Sequence, residues 1–264
     1  MNDVDTTRDP DGARPPGGAV VTGAGEGVGL QIARALAQRG HPVHLTDLDA
    51  GLATRAAAEL GPPAFASGLD IRSLTACRAA AARTRRRVGS LDVWVNGTLI
   101  PSAQPAWELD ERARQRMLEV NLMGTINGTL AAVEHLRALD GGRVVNVIPL
   151  AGLLPTPGHA LMAAGSQAAM AFSLATDADL RQEGVDSVSV SCLCVGRGSI
   201  RPDGLYQLLD HPRPMVAIPP WRGTVVRASY LWPKLAPLGS RLVPGRASEG
   251  SRRRRRRRSG AGSG

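Results

Sequence analysis

The stretch AVVTGAGEGVGLQIARALAQRG, residues 19–40, constrains the architecture more than any other part of the chain. A short apolar run leads into Gly23, Gly27 and Gly29, and helical periodicity follows at once. Glycines at this spacing permit a tight turn and let a ligand approach the backbone. The helix that opens near Val28 offers free N–H groups and the positive end of its dipole to a pyrophosphate. The next apolar run, PVHLTD (42–47), ends in Asp47, 18 residues after Gly29. A carboxylate there accepts hydrogen bonds from a ribose 2′-hydroxyl and repels a 2′-phosphate, so the pattern predicts NAD in preference to NADP.

Further apolar runs recur at 64–70, 91–96, 142–148 and 188–195, with helix-like segments around 28–39, 49–60, 73–87, 108–138 and from Pro157 and Gly158 onward. Parallel neighbours need long crossovers, so six runs separated by helices predict an α/β fold with a doubly wound parallel sheet. The runs are nearly continuously apolar rather than alternating, as strands covered on both faces are. The expected organisation is one domain. A disordered leader (1–16) precedes a dinucleotide-binding core (17–200). A lid or substrate-loop region (201–244) and a disordered Arg-rich tail (245–264) follow.

The formal charge of +9 includes seven arginines in the run Arg252–Arg258, and 9 − 7 leaves only +2 for the rest. The globular part therefore carries no nucleic-acid footprint. Cys77, Cys192 and Cys194 are too few for a disulfide framework, and the last two lack the Cys-x-x-Cys spacing of a redox or zinc pair, so no metal is expected. The acidic, Pro/Gly-rich start has no apolar core of a secretory signal, and a reducing, cytoplasmic setting is expected.

Thr22-Gly23-x-x-x-Gly27-x-Gly29 resembles the T-G-x-x-x-G-x-G pattern of the short-chain dehydrogenase/reductase family. Asp70 in GLDIRS, followed by Ile71, is similar to its adenine-contacting aspartate. Asn96 in LDVWVNG is similar to the first asparagine of its N-N-A-G segment, and Asn121 in EVNLMGT to its tetrad asparagine. The resemblance spans about residues 17–200. It implies a Rossmann-like fold, NAD-dependent oxidoreductase chemistry, and Thr22, Gly23, Gly27, Val28, Gly29, Asp47, Asp70, Ile71 and Asn96 around the cofactor.

The family's chemistry rests on a tyrosine that exchanges the proton, a lysine that lowers its pKa, a serine that orients the substrate oxygen and an asparagine that anchors a relay water. Here LMAAGSQAAMAFS aligns with Y-x-x-S-K-x-A-x-x-G-F-S, so Met162 takes the tyrosine position, Ser166 the lysine position and Pro149 the serine position. No tyrosine precedes Tyr206 and no lysine precedes Lys234, so no other alignment supplies them. Methionine has no transferable proton and proline no hydroxyl or N–H. Asn121 alone of the tetrad remains.

The expectation is an NAD-binding sensor, scaffold or partner subunit without the family's standard activity. The alternative is an active oxidoreductase acting on a carbonyl or secondary alcohol through His159, Tyr206 or water. Asp177 and Asp179 read as solvated. Trp221, Val225, Ala228 and Trp232 share one helical face and suggest a lid helix. Alternatively, with the Arg252–Arg258 run, they suggest contact with an anionic membrane surface; the run itself could also meet nucleic acid. The helices carrying Asn121 and Met162 are rich in small and apolar residues, which by resemblance implies a homodimer or homotetramer.

Overall fold

Each apolar run becomes a strand. In the computed structural model, which describes residues 15–218 apart from 140, 154–155, 197–199 and 201, β1 is Ala19–Thr22, β2 Val43–Asp47, β3 Phe65–Gly68, β4 Val93–Asn96, β5 Gly142–Pro149 and β6 Val188–Val195. A seventh strand, β7 (Met215–Ile218), extends the sheet, giving the order β3-β2-β1-β4-β5-β6-β7 with every neighbour parallel. The helices are α1 (Gly27–Gln38), α2 (Ala50–Leu60), α3 (Leu74–Val88), α4 (Glu111–Leu118), α5 (Thr125–Arg137), α6 (Leu150–Leu153), α7 (Ala160–Gln182) and α8 (Pro202–Asp210).

The continuous apolarity of the strands has the expected cause, because both faces of the sheet are covered. Ile32 and Leu36 of α1, Ala56 of α2 and Leu205 and Leu208 of α8 pack on one face. Cys77 and Ala80 of α3, Ala131 and Leu136 of α5 and Leu180 of α7 pack on the other. All eight residues of β6 are buried, Cys192 and Cys194 among them. Local capping sets the helix starts: Asp49, Ser73 and Asp110 each accept a backbone N–H from the first turn of α2, α3 and α4.

The strand order reverses between β1 and β4, which pair with Thr22 opposite Asn96. Ligands of open α/β sheets sit in the crevice that such a reversal opens beyond the C-terminal strand ends. Buried side chains fasten this region. Trp94 Nε1 donates to Asn96 Oδ1 (2.8 Å), and Asn96 Nδ2 donates to Asn146 Oδ1 (2.8 Å). Asn146 Nδ2 in turn donates to Ser173 Oγ (2.7 Å), which joins β4, β5 and α7. A buried network of this kind is stabilising only when every member is satisfied, as these are.

Several sequence expectations are refined here, and one is corrected. The helical stretches around 108–138 are α4, a π-helical segment, Glu119–Gly124, and α5. Of the expected lid or substrate-loop region, residues 202–218 form α8 and β7, and the rest lies outside the described residues. Only six residues separate β6 from α8, and α8 is strapped to α1 by a fork of Arg39 on Asp210 (2.6 and 3.0 Å) and by Tyr206 Oη donating to Ala35 O (3.0 Å). Asp177 is buried, not solvated; its carboxylate accepts the Val190 N–H (3.0 Å) and so ties α7 to β6, while Asp179 is exposed. Most of the leader, the 221–232 segment and the Arg252–Arg258 tail lie outside the described residues. Among the described residues no helix is long and apolar enough to cross a membrane, and no cluster of His, Cys, Asp and Glu is arranged to hold a metal.

Candidate functional site

The turn after β1 is built for a close approach. Gly23 and Gly27 both have φ of +62°, the left-handed region that favours glycine. A Cβ on Gly27 would meet nothing within 4 Å, so its surface is free for a ligand. A Cβ on Gly29 would overlap the Gly23 carbonyl, so this glycine lets α1 seat against the turn. Thr22 Oγ1 accepts from Gly97 N (3.1 Å) and from Thr98 Oγ1 (3.1 Å), which holds the ends of β1 and β4 together. Asp47 Oδ2 accepts the Gly25 N–H (3.1 Å), which orients the carboxylate at the turn.

A cavity of about 420 Å³ opens at this point. Gly23, Gly27, Val28, Gly29, Asp47 and Thr98 line one end, with Glu26 at the rim; Leu99, Pro101, Val147, Pro149 and Val195 line the other. The described lining has no basic side chain. A larger space of about 660 Å³ lies at the opposite, N-terminal edge of the sheet, beside Ser90, Gly142 and Asp186, remote from the glycine turn. The smaller cavity is the functional candidate, because it is the one at the strand reversal.

The geometry fits a dinucleotide's pyrophosphate and adenosine ribose. The turn leaves open the space a Cβ would fill at Gly27, and Asp47 faces the same space. Asp70 lies outside this cavity, half a fork with Arg72, whose Nη2 donates to Oδ2 (2.6 Å). That guanidinium holds the Asp70 carboxyl below the usual carboxylate range. Ile71 is buried, its carbonyl accepting from Asn127 Nδ2 (3.2 Å). Asn96 directs its side chain into the core network rather than into the cavity. Leu48, next to Asp47, is 62% exposed.

Sequence profile and relatives agree with the geometry. The profile of the short chain dehydrogenase family matches residues 18–199.

The chain belongs to that family.

It is 34% identical over 179 residues to 2-(S)-hydroxypropyl-CoM dehydrogenase 3 of Xanthobacter autotrophicus, covering 67% of this chain and 69% of that one. It is 33% identical over 135 residues to galactitol 2-dehydrogenase of Agrobacterium fabrum, covering 51% and 53%. A short chain dehydrogenase/reductase from Burkholderia phymatum, solved in complex with NAD, superposes with a TM-score of 0.75 at 20% identity over 84% of this chain and 95% of its own. That likeness is one of fold.

The family's chemical positions look different. Met162 is buried on α7, and Ser166, one turn on, has a buried hydroxyl that finds no hydrogen-bond partner among the described residues. The α6 turn rests directly on it, since a Cβ on Gly152 would overlap the Ser166 side chain. Neither residue lines the described cavity, whereas Pro149 does. Asn121 staples the segment after β4: its Oδ1 accepts the Ile100 N–H (2.8 Å) and its Nδ2 donates to the Ile100 carbonyl (3.0 Å).

The two replacement donors are engaged elsewhere. His159 is buried at the start of α7 with Nδ1 on the Pro157 carbonyl (3.0 Å). Tyr206 lies on α8, with its hydroxyl on the Ala35 carbonyl of α1. Glu26, Pro101 and Val147 line the cavity without a signal in the sequence. Thr98 was within reach of local reasoning, because it stands two residues after Asn96 in the strand that pairs with β1.

Proposed function

We propose that this chain is an NAD-binding member of the family that no longer transfers hydride and acts as a sensor, scaffold or partner subunit. The observation that carries the reading is the division of the crevice. The glycine turn and Asp47 line one end and Pro149 the other, while by the alignment Pro149, Met162 and Ser166 take the places of the family's hydroxyl, phenol and ammonium. When bound, NAD would supply hydride chemistry; its pyrophosphate would rest on the turn at Gly27 and Val28, and its adenosine ribose against Asp47. No described side chain in the cavity holds a transferable proton at Pro149's end, and groups that act in concert lose most of their effect when one is removed.

Calorimetry tests the binding half. NAD should bind at least about tenfold more tightly than NADP, and Asp47→Ala should cost about tenfold in NAD affinity, the scale of one charge-assisted hydrogen bond. Absence of NAD binding below the millimolar range would sink the reading. Assays with ketones and secondary alcohols test the chemical half: turnover by the unaltered protein would overturn it, and Pro149→Ser/Met162→Tyr/Ser166→Lys serves as the comparison.

A homodimer or homotetramer through the α4–α5 and α7 helices completes the proposal. Met123, 46% exposed, and Leu130 lie on the segment that carries Asn121, and an interface there would cover them. Sedimentation at micromolar concentration should show a dimer or larger, and Ala171→Arg should split it; a monomeric parent would defeat this part. Three buried free thiols support a reducing, cytoplasmic setting.

A further inference from the structure

We infer that the site recognises only the adenosine diphosphate moiety of its ligand, so that ADP-ribose binds as tightly as NAD; this rests on the nucleotide-binding reading above. The cavity is chemically one-sided. At the glycine turn, Gly27 and Val28 at the start of α1, together with Asp47 and Thr98, line the space. Thr98 Oγ1 gives its proton to Thr22 and keeps its lone pairs for a ligand's hydroxyl. Glu26 is exposed, so water screens its carboxylate from a diphosphate on the turn.

Among the described residues the far end has the opposite character. Leu99, Pro101, Val147, Pro149 and Val195 bring no side-chain donor or acceptor, and the two prolines bring no N–H. The polar side chains that stand nearby in the sequence are turned elsewhere. Asn121 is held on the backbone of Ile100, Asn96 lies in the core network, and Ser166 is shut beneath α6. A nicotinamide riboside placed there would exchange the hydrogen bonds of its ribose hydroxyls and carboxamide with water for an apolar wall. What its ring gains by burial is offset by those unmet groups, because an unpaired polar group loses its full solvation.

The inference is tested by calorimetry on the full chain with NAD, ADP-ribose, ADP and nicotinamide mononucleotide as separate titrants. NAD and ADP-ribose should have dissociation constants within about threefold of each other, and nicotinamide mononucleotide should show no binding up to millimolar concentration. ADP-ribose should displace bound NAD at equal concentration. An NAD affinity more than about tenfold above that of ADP-ribose, or measurable binding of nicotinamide mononucleotide, would overturn the inference and leave the NAD-binding proposal standing. Failure of all four to bind would overturn both.

Discussion

Gly29→Ala is expected to destabilise the fold by about 3 kcal/mol and to abolish nucleotide binding. The new methyl would overlap the Gly23 carbonyl, a backbone atom that cannot swing aside as a side-chain end can. The gain in helix propensity, about 1 kcal/mol from Gly to Ala, is too small to compensate. Either α1 must move away from β1 or the turn must reshape, and each displaces the N–H groups a phosphate would use. For a domain of this size the melting temperature should fall by about 6–12 °C. Gly27→Ala is the informative partner. Its Cβ would meet no atom within 4 Å, so the penalty is confined to φ of +62°, about 1–2 kcal/mol. The methyl would stand where the ligand approaches, so NAD affinity should fall by at least about tenfold while the fold persists. Thermal melts and NAD titrations of both variants distinguish packing from recognition, and unchanged NAD binding by Gly27→Ala would remove the cradle from the argument.

The contrast between these two glycines explains how much of the site could be read from sequence. The turn, its helix and Asp47 are local in the chain: the first glycine and the acid are separated by one strand–helix unit, so spacing alone places them together. The apolar end of the cavity is assembled from the segment after β4, the end of β5 and the end of β6. No spacing rule brings residues 99, 149 and 195 to one point; the sheet order does. The same distinction holds for the fold. The six strands were legible as long apolar runs, whereas β7 is four residues, Met215–Ile218, behind Pro212 and Pro214. It is a strand because β6 offers it an edge, and α8, opening on Pro202, is held by contacts to α1 made across 171 residues.

Asp177 and Asn121 show the reverse case, in which the sequence itself carries the signal. Asp177 falls on the stripe Met162, Ser166, Ala169, Ser173, Leu180, which α7 buries, so helical period alone turns it inward. A buried carboxylate needs partners, and the β6 backbone supplies one through Val190. Asn121 matched a functional motif, yet its amide grips Ile100 and holds in place the segment leading to Leu99 and Pro101. This structural work is independent of proton transfer.

Acidification should reveal a second, unrelated vulnerability at His44. Its imidazole lies in β2, fully buried, stacked on Phe65 at 4.4 Å and bonded through Nδ1 to Thr84 Oγ1 and through Nε2 to Ser67 Oγ, both at 2.8 Å. Burial first, and then the nearby Arg83 and Arg87, push its pKa down to about 4 from the usual 6.5. The folded protein therefore holds His44 neutral while the unfolded chain takes up a proton below pH 6.5. The stability this group contributes is complete above that pH and drains away as pH falls from 6.5 towards 4. A displacement of this size corresponds to a loss of about 3 kcal/mol. The carboxylates of Glu134 and Asp210, held low by Arg78 and Arg39, add their own losses as pH falls through the ordinary carboxylate range. The two windows are thus separable. His44→Gln should be less stable than the parent at pH 7.5, having lost the stacked ring, but its denaturant midpoint should change far less between pH 6.5 and 4.5. Parallel slopes for parent and variant across that interval would show that His44 is protonated in the folded protein after all.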